Sequence, residues 1–276
     1  MAAKKHRYKK HYRIKKRKSI FRSKIFWFSF FFLMLLSSTS YFSVFSSYFQ
    51  INEIRVSGNQ KISLNQVKDL VADGIDKKII FFFSKSIFLA NLKDIDQKIA
   101  SSIPEIAEVN IKRVFPNCLA VEIKERQAAG TWCQENDCFY IDQEGVIFEK
   151  TEEPTPPEVR CEIALSGIYL GQKVIERNCL RAILEVNGFL ADEIGIQPKI
   201  FTASADGKKL TVLTKEGWNI IFNLNKDVQE QLSDLKLVLE EKIPQNNRAR
   251  LDYINLRFGN KIYYKYKGSV NPINKD

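Results

Sequence analysis

The chain has 276 residues, with 43 Lys+Arg against 32 Asp+Glu and a net charge of +11. Twelve of those basic residues lie in the first 24, which hold no acidic group; without them, 31 basic groups face 32 acidic ones. The rest of the chain thus lacks the basic excess that nucleic-acid binding requires. Its only histidines, His6 and His11, sit in the tail, so it also lacks Ser-His-Asp and Cys-His nucleophile systems, His-ligated zinc and histidine acid–base chemistry.

From Ile25 to Asn52 no residue is charged. The first half is dense in Phe; the second mixes serines with Tyr41, Phe42, Val44, Phe45 and Tyr48. A helix over 25–48 measures roughly 36 Å at ~1.5 Å per residue, enough for a hydrocarbon core of ~30 Å. Serine hydroxyls bond back to the helix backbone, and aromatic residues at the far end suit an interfacial belt. The basic tail, 1–24, is therefore expected in the cytoplasm, with the rest outside the plasma membrane. The competing reading is a cleaved signal peptide with its site at Ser38 and Ser40. It fits less well, because the tail is long and no Ala-x-Ala pattern occurs. Either way, about 228 residues from Phe49 onward are exported. The apolar run at 79–83, IIFFF, is too short to span a bilayer.

Gln50 to Ser57 alternates, with Ile54 and Val56 on one face, and reads as a half-buried strand ended by Gly58-Asn59. Ser63 opens a helix, with Gln66 in capping-box position and Leu64, Val67 and Val71 as its apolar stripe. A second helix starts near Asn91, carries Leu92, Ile95, Ile99 and Ile103, and stops before Pro104. Two alternating strands follow, Ala107/Val109/Ile111 and Leu119/Val121/Ile123, turned by Phe115-Pro116-Asn117. Their apolar faces need one another, which gives a two-layer β-α-α-β-β module of about 75 residues.

Beyond it, Thr131-Trp132 enters a new strand. Cys138–Ile141 and Val146–Glu149 read as a hairpin, and Pro154, Pro156 and Pro157 as an extended loop. A helix is expected around Cys179–Phe189, a hairpin at Leu210–Thr214 and Trp218–Asn223, and an amphipathic helix at 227–242 with Val228, Leu232, Leu235 and Leu239 inward. Leu251–Arg257 and Lys261–Lys267 read as the last two strands. On the final strand Ile262, Tyr264 and Tyr266 share one face and Tyr263, Lys265 and Lys267 the other. Such a strand at a sheet edge offers unpaired backbone groups for strand addition, and its lysines equally serve to block aggregation.

Glu135, Asp137, Asp142 and Glu144 cluster around a hairpin, where a solvated turn face is the simpler explanation than a catalytic pair. No Gly-rich phosphate loop occurs. Of five cysteines, Cys133 and Cys138 flank the short stretch QEND and can hold a hairpin-end disulfide in an oxidising compartment. A Cys-only zinc site with Cys161 and Cys179 is the weaker alternative, since C-x4-C matches zinc spacing loosely. The odd count leaves at least one thiol unpaired, with Cys118 or Cys179 suited to act as a small buried hydrophobe.

The strings IRVSGNQKISLNQV and ASSIPEIAEVNIKRVFPNCLAVEIKER resemble a POTRA domain of the FtsQ/DivIB type. The matching positions are Val56, Gly58, Asn59, Pro104, Ile106, Val109, Ile111, Arg113, Pro116, Glu125 and Arg126, with Arg126 expected as a solvated strand-ending charge. YIDQEGVIF, LTKEGWNIIFN, QLSDLKLVL and YINLRFGNKIYYK are similar to the second domain of the same division family; Asn255 departs from its usual Asp.

The resemblance implies an α+β chain in five parts: a basic tail, 1–24; a transmembrane helix, 25–48; a POTRA domain, 49–126; a β-rich domain with packed helices, 127–267; and a tail, 268–276. It also implies a non-enzymatic scaffold of bacterial division at the septum, with no cofactor, metal or small-molecule substrate. Small coiled-coil membrane proteins of the FtsB/FtsL kind would dock at Phe258, Lys261, Ile262, Tyr263, Tyr264, Lys265 and Tyr266, linking the chain to septal peptidoglycan synthesis. The POTRA part would meet other division proteins. The alternative is a POTRA-containing polypeptide-transport or secretion accessory. The chain lacks the serial ten-residue alternating segments of the β-barrel that many such proteins carry.

Overall fold

The computed structural model describes residues 23–75, 77–79, 82–259, 261–269 and 273–275, with the backbone alone at 77–79, 82–84 and 273–275. The expected basic tail, apart from its last two residues, lies outside the described residues. The α+β expectation holds: helices accompany a small three-stranded sheet, a hairpin and a ten-stranded sheet. Contacts divide the chain into two units, Met1–Glu53 with Asp76–Ala90 and Arg113–Leu119, and Ile54–Ile75 with Asn91–Lys112 and Ala120–Asp276.

The first unit contains α1, Lys24–Phe45, which is the one helix among the described residues long and apolar enough to cross a membrane. It ends three residues earlier than the expected span. Tyr48 instead belongs to a 3₁₀ turn, Ser47–Phe49. Thr39 and Ser43 bond their hydroxyls to the carbonyls of Leu35 and Thr39, so these serine-type groups stay satisfied inside the helix. The unit also holds the antiparallel hairpin of β2, Lys77–Ile79, and β3, Phe82–Ser84, in the stretch that the IIFFF run covers.

The strands β1 (Glu53–Ser57), β4 (Ile106–Val114) and β5 (Cys118–Glu125), which lie for the most part in the second unit, form a sheet in the order β1-β5-β4. Leu119, Val121 and Ile123 of β5 are buried, while Glu122 and Lys124 on its other face are exposed. Helices α2 (Leu64–Ile75) and α3 (Leu92–Ser102) contribute Val67, Val71, Ile95 and Ile99, all fully buried at helical spacing. Gly58 sits at φ +85°, and a Cβ there would meet the Ile123 carbonyl oxygen at 2.1 Å, so only glycine allows the chain to leave β1 this close to β5.

The large sheet takes its strands in turn: β6 Gly130–Gln134, β7 Asp137–Ile141, β8 Ile147–Thr151, β9 Glu158–Cys161, β10 Pro198–Ala203, β11 Lys209–Thr214, β12 Asn219–Asn223, β13 Leu251–Phe258, β14 Lys261–Tyr266 and β15 Ile273–Lys275. Its spatial order is β15-β14-β13-β12-β11-β10-β9-β6-β7-β8. Three neighbouring pairs, β6/β9, β9/β10 and β12/β13, run parallel. Parallel neighbours need a crossover, which β7 and β8 supply for the first pair and helices α4 (Arg177–Gly188) and α5 (Val228–Glu241) for the other two. A short helix, α6 (Gln245–Arg248), leads into β13. Leu180, Ile183 and Val186 of α4 and Leu232, Leu235, Val238 and Leu239 of α5 share one core with Trp132, Phe201, Trp218 and Phe222. Asp227 caps α5 by accepting from the Gln229 amide at 2.8 Å. The buried Gln231 amide fixes α5 to the end of β12: it accepts from the Asn223 N–H at 2.8 Å and donates to the Asn223 carbonyl at 2.9 Å.

Candidate functional site

The expected partner-binding residues all lie on the hairpin of β13 and β14, but its two faces differ sharply. Ile262 is 7% exposed, and Tyr264 and Tyr266 pack against the core, their rings 5.9 Å apart and nearly perpendicular. Burial, then the neighbouring Tyr264, pushes the Tyr266 hydroxyl above its ordinary pKa. These three residues serve the fold first. The opposite face carries Phe258, 57% exposed, with Tyr263 edge-on to it at 5.3 Å. A register shift between Asn255 and Phe258 brings the two rings side by side, since Asn255 pairs with Tyr263 and Phe258 with Lys261.

The Arg257 guanidinium lies 5.6 Å from the Phe258 ring centroid. Asn255 orients it: the amide oxygen accepts from the Arg257 backbone N–H at 3.3 Å and from its Nε at 3.1 Å. Asn255 is itself buried, so the Arg257 side chain meets a neutral acceptor there. Aromatic rings with an arginine and Lys265 make up the composition of an interface core and rim.

One expectation changes. The strand 261–267 is not the sheet's outer edge, because β15, in the stretch read as a tail, pairs antiparallel with it: Ile262 with Lys275, Tyr263 with Asn274, Tyr264 with Ile273. The ladder spans these three positions. At these positions the backbone groups of β14 on that side are taken up by β15.

A second arrangement was missed in the sequence. Arg126, read as a solvated charge, has a side chain only 16% exposed. It pairs with Asp142, 8% exposed, and its Nε donates to the Pro104 carbonyl at 2.9 Å. The other Asp142 oxygen accepts from the N–H groups of Glu144 and Val146 at 3.0 and 2.9 Å. Asp142 is thus a buried partner and not part of a solvated turn. Next to Arg126, the Glu125 carboxylate accepts from the N–H groups of Gln60, Lys61 and Ile62 at 2.6, 2.9 and 3.0 Å. Desolvation raises its pKa, but those three bonds together outweigh it and hold the carboxyl below the usual range. This anchor is present at neutral pH and is lost as pH falls through that lowered value. A cleft of about 620 Å³ opens here, lined by Gly58, Lys61, Glu125, Arg126, Tyr140 and Phe148. Glu125 and Arg126 are already bound internally.

Cys133 and Cys138 face each other in register across β6 and β7, with Cα atoms 4.2 Å apart, and are joined as a disulfide. Cys118, Cys161 and Cys179 are free; the first and last are buried. Burial, then the nearby Cys161, pushes the Cys179 thiol up to about 11, so it stays protonated and unreactive at neutral pH.

Residues 49–126 match the family model for the POTRA domain, FtsQ-type. The chain is similar to the cell division protein DivIB of Clostridium botulinum, 29% identical over 79% of this chain and 82% of the relative. It is similar to the cell division protein FtsQ of Aliivibrio fischeri, 29% identical over 82% of this chain and 83% of that one. The FtsQ protein of Neisseria gonorrhoeae is 24% identical over 66% of this chain and 71% of its own length.

Proposed function

We propose that this chain, which is of the FtsQ/DivIB type, serves cell division as a non-enzymatic scaffold held in the plasma membrane by α1. Its basic tail faces the cytoplasm and its sheets lie outside, concentrated at the septum. Small coiled-coil membrane proteins of the FtsB/FtsL kind dock on the outer face of β13 and β14, and couple the scaffold to septal peptidoglycan synthesis. The observation that carries this reading is the solvent-facing Phe258–Tyr263 pair with Arg257 against it. Exposed aromatics beside a cation are the usual anchors of a protein interface.

Backbone pairing adds to the side-chain contact. The three-position ladder of β15 is short, so a partner's strand takes its place on β14 at little cost and continues the sheet. The side chains at Tyr263 and Lys265 then read the partner while Ile262 and Tyr264 hold the core.

A photo-crosslinking residue in place of Tyr263 or Lys265, in the full chain in its native membrane, tests this. The expected adduct is a small single-pass coiled-coil division protein, with none from the same residue placed at the exposed Lys68 of α2. Absence of that adduct at both 263 and 265 contradicts the docking site.

A further inference from the structure

Where α1 ends, a row of aromatic rings continues away from it within the first unit. Phe42, in the last turn of the helix, meets Phe49 edge-on at 6.0 Å; Phe49 lies 5.2 Å from Phe88; and Phe88 lies 5.5 Å from Phe115 at the tip of the β4–β5 turn. The row is open to its surroundings. Phe42 is 57% exposed, Phe88 46% and Phe115 59%, with Tyr48 at 61% beside them. Four aromatic side chains exposed together form a patch that a soluble surface avoids.

The patch is also fastened to the helix exit. The last turn of a helix leaves carbonyls without partners. Here the Ser43 carbonyl accepts from the buried Ser86 hydroxyl at 3.0 Å, and the Val44 carbonyl from the Gln50 Nε2 at 2.8 Å. Gln50 accepts in turn from the Lys85 N–H at 2.8 Å. Arg113 donates to the carbonyls of Ile87 and Ala90, both at 2.7 Å, which ties the turn bearing Phe115 to the turn bearing Phe88. The aromatic row therefore keeps a fixed place relative to the end of α1.

The length of α1 says what that place is. Twenty-two residues rise about 33 Å at ~1.5 Å each, matching a hydrocarbon core of ~30 Å. With Lys24 at one boundary, Phe45 falls at the other, and the rings that follow lie at headgroup depth. Aromatic side chains are favoured there, because the ring leaves water while the backbone stays hydrated.

We propose that Phe88 and Phe115 rest in the interfacial lipid layer outside the membrane, so that the first unit is seated on the bilayer and does not swing freely from α1. This rests on reading α1 as the membrane anchor. The occupant is the lipid interface itself, continuous with the lipid around α1.

The test uses the full chain in lipid vesicles, with Phe115→Trp in a Trp27→Phe background; Trp132 and Trp218, both fully buried, set the baseline. The expected result is blue-shifted emission from position 115, most of it lost with lipids brominated near the glycerol. Emission typical of an indole in water, quenched by iodide and not by brominated lipid, overturns the proposal. A second measurement needs no substitution: lipids with a photoreactive group near the headgroup should leave adducts within 85–90 and 113–117. Adducts confined to 24–49 overturn it as well. Flotation with the vesicles separates the two readings, since a chain that fails to float overturns the anchor together with the seat, whereas a floating chain without these contacts overturns the seat alone.

Discussion

Replacing Arg126 by alanine lowers the stability of the second unit by about 3–5 kcal/mol, the cost of breaking a buried ion pair from one side. The size follows from what is left behind. The Asp142 carboxylate, 8% exposed, loses its cation, and the Pro104 carbonyl loses a donor. Among the described residues, the remaining bonds to the Asp142 carboxylate come from the two backbone N–H groups of its own turn. At ~2–4 °C per kcal/mol for units of this size, the thermal midpoint falls by roughly 6–20 °C. The comparison is Lys124→Ala. Its ion pair with Glu108 is 70% and 72% exposed, and such pairs contribute within about 1 kcal/mol. Thermal melts of the full chain in detergent, with limited proteolysis across 127–130, measure both variants. Equal midpoints for the two would show that Arg126 acts as the solvated charge its sequence position suggests.

The second large effect is on partner binding. If the proposed docking site is right, Phe258→Asp or Tyr263→Asp weakens capture of the proposed coiled-coil partner by about 2 kcal/mol or more, roughly thirtyfold in affinity, as expected for a hot-spot aromatic. The fold tolerates either change, because both side chains lie on the face turned away from the core. Tyr264→Asp behaves differently. That residue packs against the core, so a carboxylate there lowers the melting temperature as well as the binding. Partner titration alongside a melt separates the two outcomes. Binding that survives both outer-face variants would move the docking site elsewhere.

These contrasts mark what could be read from the sequence. The helices α2 and α5 were legible because Val67/Val71 and Leu232/Leu235/Leu239 repeat at helical spacing and are buried as expected. The two faces of β14 were legible from its alternation. Which face points inward was not, since each carries a tyrosine and only packing against the core decides. The strands β9 and β10 gave no signal. In Glu158–Cys161 only Val159 is buried, and β10 opens on a proline; their parallel pairing depends on the crossover through α4. The Arg126–Asp142 pair joins residues sixteen apart with no periodicity to betray it. A hint lay in Asp142-Gln-Glu-Gly145, where an Asp accepting from the amides that follow is a turn signature. The last strand, β15, ends in Asn-Lys and carries too little apolar pattern to be told from a tail.

The central claim is that this chain is a septal scaffold anchored by its first helix. Time-resolved imaging of the full chain, fluorescently labelled at its N-terminus in dividing cells, tests it most directly. The account predicts a mid-cell band that forms before constriction and narrows with the septum. A uniform envelope signal through the whole cycle would contradict it and would favour a general polypeptide-transport role.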